Sequence, residues 1–198
     1  MKLALKLIIV MVLLAGCDGD EDPGSPTKIA DSSEVVKVHF PVLDFIKSEI
    51  RFVDSLPVGI MKYTIQNGII DSSYIPQEEF HRLAQQFVLP ALHKETFEKE
   101  FSETSFFDNT TQFASMVYST NNKSLDVQRV DVLAKPEDVV YNKVQSIYIE
   151  KHSQNNDSSI IEKLYWKAGQ NFQITTETQT PTAETITRQI KVVWNPGY

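Results

Sequence analysis

The sequence predicts an α+β domain, in which N-terminal helices and a β-hairpin are followed by a roughly six-stranded antiparallel meander sheet packed on the helices. Two observations lead to this class. Apolar residues recur at helical spacing in the first half of the 198-residue chain. After about residue 107, short runs rich in Val, Ile, Thr and aromatic residues alternate with polar residues. The intervening turns are too short for crossover helices, so neighbouring strands must be antiparallel.

Two helices are predicted in the first half. The first begins at Pro41, a residue type that suits the first helical position, and runs to about Ser55. The second begins at Pro76 and ends before Pro90. Each has one apolar face, as a helix that covers a core should have: Val42, Ile46, Ile50 and Val53 in the first, and Phe80, Leu83, Ala84 and Phe87 in the second. A short helix or helical turn with many charges is predicted over residues 92–101.

A β-hairpin is predicted between the two helices. Met61, Tyr63 and Ile65 alternate with polar residues, which is the pattern of a strand with one apolar face. Asn67-Gly68 then supplies two residues that tolerate the positive φ angles of a type I′ turn. This turn places Ile65 opposite Ile70.

The second half of the chain contains six strand-like runs. Turn residues separate them, among them Lys135–Asp138 and Ala168-Gly169. Their alternation predicts one apolar face and one polar face that is open to water. Tyr165 and Trp166 are neighbours and therefore belong to opposite faces. The six runs are residues 107–120, 124–134, 139–152, 159–168, 171–180 and 184–195.

The chain begins with the three parts of a secretory signal peptide. Lys2 and Lys6 form a positive start, and the residues from Leu7 to Leu14 are all apolar. This apolar run is shorter than the roughly 20 residues that a membrane-spanning helix needs. Small residues follow it, immediately before Cys17.

The quartet Leu14-Ala15-Gly16-Cys17 resembles the lipobox of bacterial lipoproteins. The resemblance implies cleavage between Gly16 and Cys17, a diacylglyceryl thioether on Cys17 and an acyl chain such as palmitate on its new amine. Two or more acyl chains give stable attachment to a membrane. The predicted organisation is a signal peptide (residues 1–16), a lipidated acidic flexible tether (17–34) and a single α+β globular domain (35–198), which resembles small Gram-negative envelope lipoproteins without an assigned activity.

The acidic residues after Cys17 bear on localisation. Asp18 alone resembles the signal that retains lipoproteins in the inner membrane of enteric bacteria. The cluster Asp18, Asp20, Glu21 and Asp22 is more similar to the signal that exports lipoproteins to the cell surface in other Gram-negative groups. We favour the outer membrane with the domain facing outward. A lipoprotein that faces the periplasm, or an acidic run that serves only as a solvated spacer, remains open.

Composition excludes several classes of function. The formal net charge is −7, and removal of the signal peptide takes away two lysines and no acidic residue. A nucleic-acid-binding protein needs a basic surface, so no nucleic-acid partner is expected. Cys17 is the only cysteine. Its lipidation leaves no thiol for disulfides, for nucleophilic catalysis or for a thiolate metal site.

The side chains that carry catalysis form no recognisable constellation. His39, His81, His93 and His152 lack metal-ligand spacing, and no metal or other cofactor is expected. Candidate acid/base carboxylates are Glu78, Glu79, Asp108 and Asp131, although acids in the first turn of a helix, as at 78 and 79, are common for dipole reasons. Aromatic residues that could contact a sugar or a protein are Phe106, Phe107, Tyr148, Tyr165, Trp166, Phe172 and Trp194.

Three functions are therefore compared. The first, which we favour, is a non-catalytic, membrane-anchored lipoprotein that docks a protein partner through its sheet or its hairpin. The second is a binding or carrier module for an apolar or glycan ligand, and the third, least favoured, is a hydrolase. A carrier needs a cavity lined by inward-facing strand residues, whereas the first function allows a core filled by side chains such as Phe45, Phe52, Phe80 and Phe87.

Overall fold

Nine antiparallel strands and three short α-helices make up the computed structural model, which describes residues 39–137, 141–154, 157–181 and 184–195. The helices are α1 (Val42–Asp54), α2 (Gln77–Ala84) and α3 (Lys94–Glu100). The strands are β1 (Ile60–Gln66), β2 (Ile69–Ile75), β3 (Ser102–Asp108), β4 (Phe113–Ser119), β5 (Val127–Glu137), β6 (Tyr141–Gln154), β7 (Ser159–Lys167), β8 (Asn171–Gln179) and β9 (Ile186–Val193).

All nine strands form one sheet, in the order β2-β1-β9-β8-β7-β6-β5-β4-β3. The predicted antiparallel sheet is therefore confirmed. The predicted α+β arrangement, with a roughly six-stranded sheet packed on N-terminal helices, is wrong, because the sheet has nine strands and the helices are short. The hairpin belongs to the same sheet, since β1 pairs with β9 and places Tyr63 opposite Lys191. That pairing joins distant parts of the chain, and no local pattern signals it.

A polar edge strand, β3, accounts for the remaining difference in strand number. The first predicted run, residues 107–120, includes the end of β3, the turn after Asp108 and all of β4. In the structure β3 ends at Asp108, whose carboxylate accepts hydrogen bonds from the backbone N–H of Thr110 (2.8 Å) and the hydroxyl of Thr111 (2.8 Å). This local capping is typical of Asp in turns. The predicted turn over Lys135–Asp138 is also wrong in part, because β5 continues to Glu137.

The helices agree with the predicted positions. α1 confirms the helix from Pro41, although the second predicted helix is shorter, because α2 passes into two 3₁₀ turns, Gln85–Phe87 and Pro90–Leu92. None of the helices in the described part of the chain has the length and hydropathy that a membrane-spanning helix requires.

The hairpin forms as predicted. Asn67 and Gly68 have φ angles of 52° and 75°, as the two central residues of a type I′ turn require. Ile65 lies opposite Ile70. Gln66 and Ile69 are the hydrogen-bonded pair that closes the turn, and hydrogen-bonded pairs alternate with non-hydrogen-bonded pairs along an antiparallel ladder. The backbone N–H and C=O groups of Ile70, Ser72 and Tyr74 therefore point away from β1.

The sheet face that carries Trp166, here called the inner face, packs against side chains from the helical segments. Trp166 is fully buried, and its ring centroid lies 5.1 Å from that of Phe87, 5.1 Å from that of Phe172 and 5.5 Å from that of Trp194. Phe80 completes this group, 5.8 Å from Phe172. Edge-to-face and tilted contacts of this kind stabilise a core beyond the burial of apolar area. The space between α2 and the centre of the sheet is thus filled by aromatic rings.

Glu49 of α1 connects the helical segment to the far end of β7. Its Oε2 accepts a hydrogen bond from Nε1–H of Trp166 (3.1 Å) and another from the backbone N–H of Gly169 (2.7 Å). Gly169 has a φ of 65° in the turn between β7 and β8, a conformation that favours glycine. A single carboxylate oxygen therefore fixes a core indole and a strand turn together.

Candidate interaction sites

The residues of the predicted lipid anchor lie outside the part of the chain that the structure describes. They are Gly16, Cys17, Asp18, Asp20, Glu21 and Asp22. The signal peptide and the tether likewise lie among residues 1–38. Lipidation and localisation accordingly stay predictions from the sequence.

The four histidines belong to different segments of the chain, and two of them, His39 and His93, line one cleft beside α1 and α3. His39 is buried, its ring contacts Phe97 and Tyr118 edge-on, and its Nδ1 has no hydrogen-bond partner among the described residues. His93 directly precedes α3. His81 lies 2.8 Å from Asp54, and His152 lies 2.8 Å from Glu150. In the described ranges, no three His, Cys, Asp or Glu side chains are grouped as metal ligands.

The candidate carboxylates are not brought together. Glu79 of α2 accepts a hydrogen bond from Lys62 Nζ at 2.6 Å, and Glu78 is exposed beside it in the first turn. Asp131 is on the opposite, outer face of the sheet, where Arg129 donates two hydrogen bonds to it, at 2.7 and 2.9 Å. Asp108 caps the turn after β3. These acids therefore serve separate ion pairs and a turn, and the paired geometry that a glycosidase needs does not form among them.

A hydrogen-bonded ladder of charged and aromatic side chains lies on the outer face. The Tyr148 hydroxyl donates to Glu150 Oε2 (2.9 Å), and His152 Nε2 lies 2.8 Å from the other oxygen, Oε1. Burial raises the pKa of Tyr148 above its usual 10.0, and its hydrogen bond to Glu150 raises it further. The hydroxyl thus keeps its proton at neutral pH and acts as a donor. Tyr148 of β6 has Asp131 of β5 opposite it on one neighbouring strand and Tyr165 of β7 opposite it on the other.

Glu150 gives this ladder a dependence on pH. Burial raises the pKa of Glu150, but the hydrogen bonds from Tyr148 and His152 and the charge of His152 outweigh burial, so that the pKa falls below its ordinary 4.5. A carboxylate with a lowered folded-state pKa contributes stability above its unfolded-state pKa and loses that contribution as pH falls through the folded-state value. We expect wild type to lose more stability than Glu150→Gln on acidification from about pH 5 to about pH 3.

Urea unfolding curves measured across that pH range test this expectation. Glu184→Gln is the matched control, because Glu184 is exposed in the segment before β9 and has no hydrogen bond or ion pair to a described residue. It should leave the pH dependence of the unfolding free energy as in wild type. An equal effect of the two substitutions would contradict the role given to Glu150.

The predicted aromatic residues divide between core and surface. Trp166, Phe172 and Trp194 are buried, whereas Tyr165 is half-buried on the outer face, which confirms that Tyr165 and Trp166 point to opposite faces. Phe106 and Phe107 are exposed on the edge strand β3. The core contains Phe80 and Phe87 with Phe45 packed against it, whereas Phe52 is 45% exposed. The space between α2 and the centre of the sheet, where a carrier would need an apolar cavity, is thus occupied by aromatic side chains.

The other edge strand, β2, is the most exposed apolar segment of the sheet. Ile69, Ile70 and Tyr74 are 73%, 65% and 75% exposed. β2 carries one charged residue, Asp71, and no lysine or proline. Natural edge strands usually carry charged residues, especially lysine, or proline, because these residues prevent another strand from adding to the edge.

Two of the clefts on the surface of the described residues lie beside the helices. One, of about 360 Å³, lies between the start of α1 and α3 and is lined mainly by Phe40, Leu43, Leu92 and Phe97, with His39 at its side. The other, of about 230 Å³, lies between α2 and the inner face of β1, β8 and β9. Its residues come from α2, the 3₁₀ turn that follows α2, and three strands, and the sequence pattern does not group them. Comparisons of the chain with protein-family models, with curated proteins and with solved structures find no match.

Proposed function

We propose that this chain is a lipid-anchored, non-catalytic interaction module of the bacterial outer membrane, and that copies of it associate through the edge strand β2. The observation that carries the proposal is the exposure of Ile69, Ile70 and Tyr74 on an edge strand, which pairs with β1 on one side only. Large exposed apolar groups and free backbone hydrogen-bonding groups on one edge are what β-strand addition uses. The Cys17 lipobox supports the anchor, and the aromatic core between α2 and the sheet disfavours a carrier.

The sequence of β2 is complementary to itself. When two β2 strands meet in antiparallel orientation about Ser72, the outward backbone groups of Ile70, Ser72 and Tyr74 face their counterparts in the second copy. Ile70 then lies opposite Tyr74 of the partner subunit, and Tyr74 lies opposite Ile70 of the partner subunit. Each pair of an aromatic and a β-branched side chain contributes about 0.2–1 kcal/mol. Asp71 lies opposite Ser73 of the partner subunit, so no like charges face each other.

The lipid anchor would make such a small contact effective. Two paired strands of this length bury less surface than the roughly 1,200–2,000 Å² of a stable complex, so association in solution should be weak. Attachment to one membrane holds the copies near each other and raises their effective concentration. The anchor and the sheet edge therefore act together in this proposal.

Disulfide trapping of the full-length, membrane-bound chain tests it. Ser72→Cys is expected to form a disulfide dimer under mild oxidation, because residues directly opposite in an antiparallel hydrogen-bonded pair have Cα atoms about 5.5 Å apart. Ser102→Cys is the matched control, since Ser102 is an exposed serine on the opposite edge strand, β3. Ile70→Lys in the Ser72→Cys background should slow dimer formation about threefold or more, because both apolar pairs are lost.

Three results would contradict the proposal. Equal rates for Ser72→Cys and Ser102→Cys, or no dimer at Ser72, would exclude pairing at β2. The parental chain is expected to form no disulfide, because a lipidated Cys17 has no thiol. A parental disulfide dimer would contradict the lipid anchor.

A further inference from the structure

The second, polar cleft carries more positive than negative charge in an acidic protein. Its lining includes Lys62 of β1, Arg82 of α2 and Arg188 of β9, and Glu79 of α2 is its only acid. The whole chain has a formal net charge of −7. A local excess of two positive charges at this place is therefore contrary to the general charge of the molecule.

Two acids near the cleft, Glu79 and Glu162, already have cationic partners. Glu79 lies 2.6 Å from Lys62 Nζ and 3.6 Å from Arg82 Nη2. Thr176 of β8 lies opposite Arg188, and Glu162 of β7 lies opposite Thr176 on its other side. Glu162 is 2.6 Å from Lys151 Nζ. Neither acid is therefore free to neutralise another cation.

Arg188 is left without a protein partner. Its neighbours across β8 and β1 are Thr176 and Gln66, which carry no charge. Among the described residues, no acceptor of a hydrogen bond from its guanidinium is found and no carboxylate pairs with it. Arginine offers a planar fork of donors that matches the two oxygens of a carboxylate or phosphate.

Apolar side chains also line the cleft. They are Leu83, Ile174 and Ile190, of which Leu83 and Ile174 are buried and Ile190 is half-buried. The volume of about 230 Å³ is smaller than the roughly 300–1,000 Å³ of a site for a drug-sized ligand. The cleft therefore suits a small group with a charged end and a short apolar body.

We propose that this cleft binds the anionic head of a small amphiphile, a carboxylate or phosphate group attached to a short hydrocarbon chain. The anion lies against Arg188, with Arg82 as the second cation, and the short hydrocarbon lies against Ile190. Thr64 and Thr176 line the same cleft and offer hydroxyl donors to the remaining oxygens. This site is on the inner face and does not depend on pairing at β2.

Calorimetric titration of the full-length, lipid-anchored chain in phosphatidylcholine nanodiscs tests the site, with empty nanodiscs as the reference. The ligands are hexanoate, hexyl phosphate and, as the neutral analogue, hexanol. Saturable binding of either anion, at least about tenfold tighter than hexanol, is expected, because a charge-assisted bidentate contact is worth more than a neutral hydrogen bond. The tighter of the two anions identifies the head group.

Arg188→Gln is expected to weaken binding of that anion at least about tenfold. Lys191→Gln is the matched control, because Lys191 is on the same strand but on the opposite face, across from Tyr63 and Gln173. It removes the same charge and should change affinity less than twofold. The proposal is overturned if neither anion binds saturably, if hexanol binds as tightly, or if the two variants behave alike.

Discussion

Trp166→Ala is expected to lower the free energy of unfolding by about 3–5 kcal/mol, the range for truncating a buried Trp or Phe. Trp166 is fully buried and in contact with Phe87, Phe172 and Trp194. The substitution leaves a cavity among rings that are held from several sides, so the surroundings have little freedom to fill it. Domains of this size have a total stability of about 5–15 kcal/mol, so the loss is a large fraction of it.

Urea unfolding followed by circular dichroism measures this loss. Tyr165→Ala is the control, because the neighbouring ring is half-buried on the outer face, and its effect should be clearly smaller. Trp166→Phe keeps most of the volume and should lie between wild type and Trp166→Ala, which keeps the test informative if the alanine variant does not fold. A Trp166→Ala loss no larger than that of Tyr165→Ala would show that the aromatic group is not the centre of the core.

Glu49→Ala is expected to lower the free energy of unfolding by about 1–3 kcal/mol, because it leaves two donors without their acceptor. These are Nε1–H of the buried Trp166, at 3.1 Å, and the backbone N–H of Gly169, at 2.7 Å. Both belong to the end of the β7–β8 hairpin, whereas Glu49 belongs to α1. The loss should therefore come with local opening of that turn.

Glu49→Gln separates hydrogen bonding from simple truncation. Its amide oxygen can accept the same hydrogen bonds, so it should retain more than half of the stability lost in Glu49→Ala. Arg51→Ala, an exposed change on the same helix, should stay within about 0.5 kcal/mol of wild type. Amide and indole hydrogen exchange at Gly169 and Trp166 provides the local measurement. Unchanged exchange in Glu49→Ala would contradict the proposed connection.

The features that the sequence predicts correctly are those whose signal is local. Asn67-Gly68 specifies its own turn through two positive φ angles, and the register with Ile65 opposite Ile70 follows from that turn. α1 likewise follows from the spacing of Val42, Ile46 and Val53, all of which are buried. The alternation that assigned Tyr165 and Trp166 to opposite faces depends only on the period of a strand.

The features that the sequence does not predict depend on pairing at a distance. β3 is an edge strand with little burial on either face. Its sequence therefore lacks the apolar alternation that marks a half-buried strand. The pairing of β1 with β9 has no local signal at all. The strand pattern alone therefore leaves the predicted hairpin outside the sheet and omits the polar edge strand.

The sequence does not predict the two candidate sites either, because they also depend on pairing between distant parts of the chain. Lys62, Arg82 and Arg188 are each ordinary surface residues in the sequence, and only the β1–β9 pairing and the position of α2 bring them to one cleft. Exposure of Ile70 and Tyr74 also depends on β2 being an edge, which the hairpin pattern does not state. The predicted lipid anchor is the opposite case, since it is a linear motif.

The position of β9 between β8 and β1 also has a consequence for the order of folding. During synthesis from the amino terminus, the β1–β2 hairpin emerges early, while β9 is the last of the nine strands to appear. Until then the hairpin has no sheet to join, and an isolated two-stranded hairpin is only marginally stable in water. Closing so large a loop is entropically costly, so completion of the sheet should be a late and slow event. The pairing of β9 therefore sets the time at which the β1–β2 hairpin and the rest of the sheet become a single folded unit.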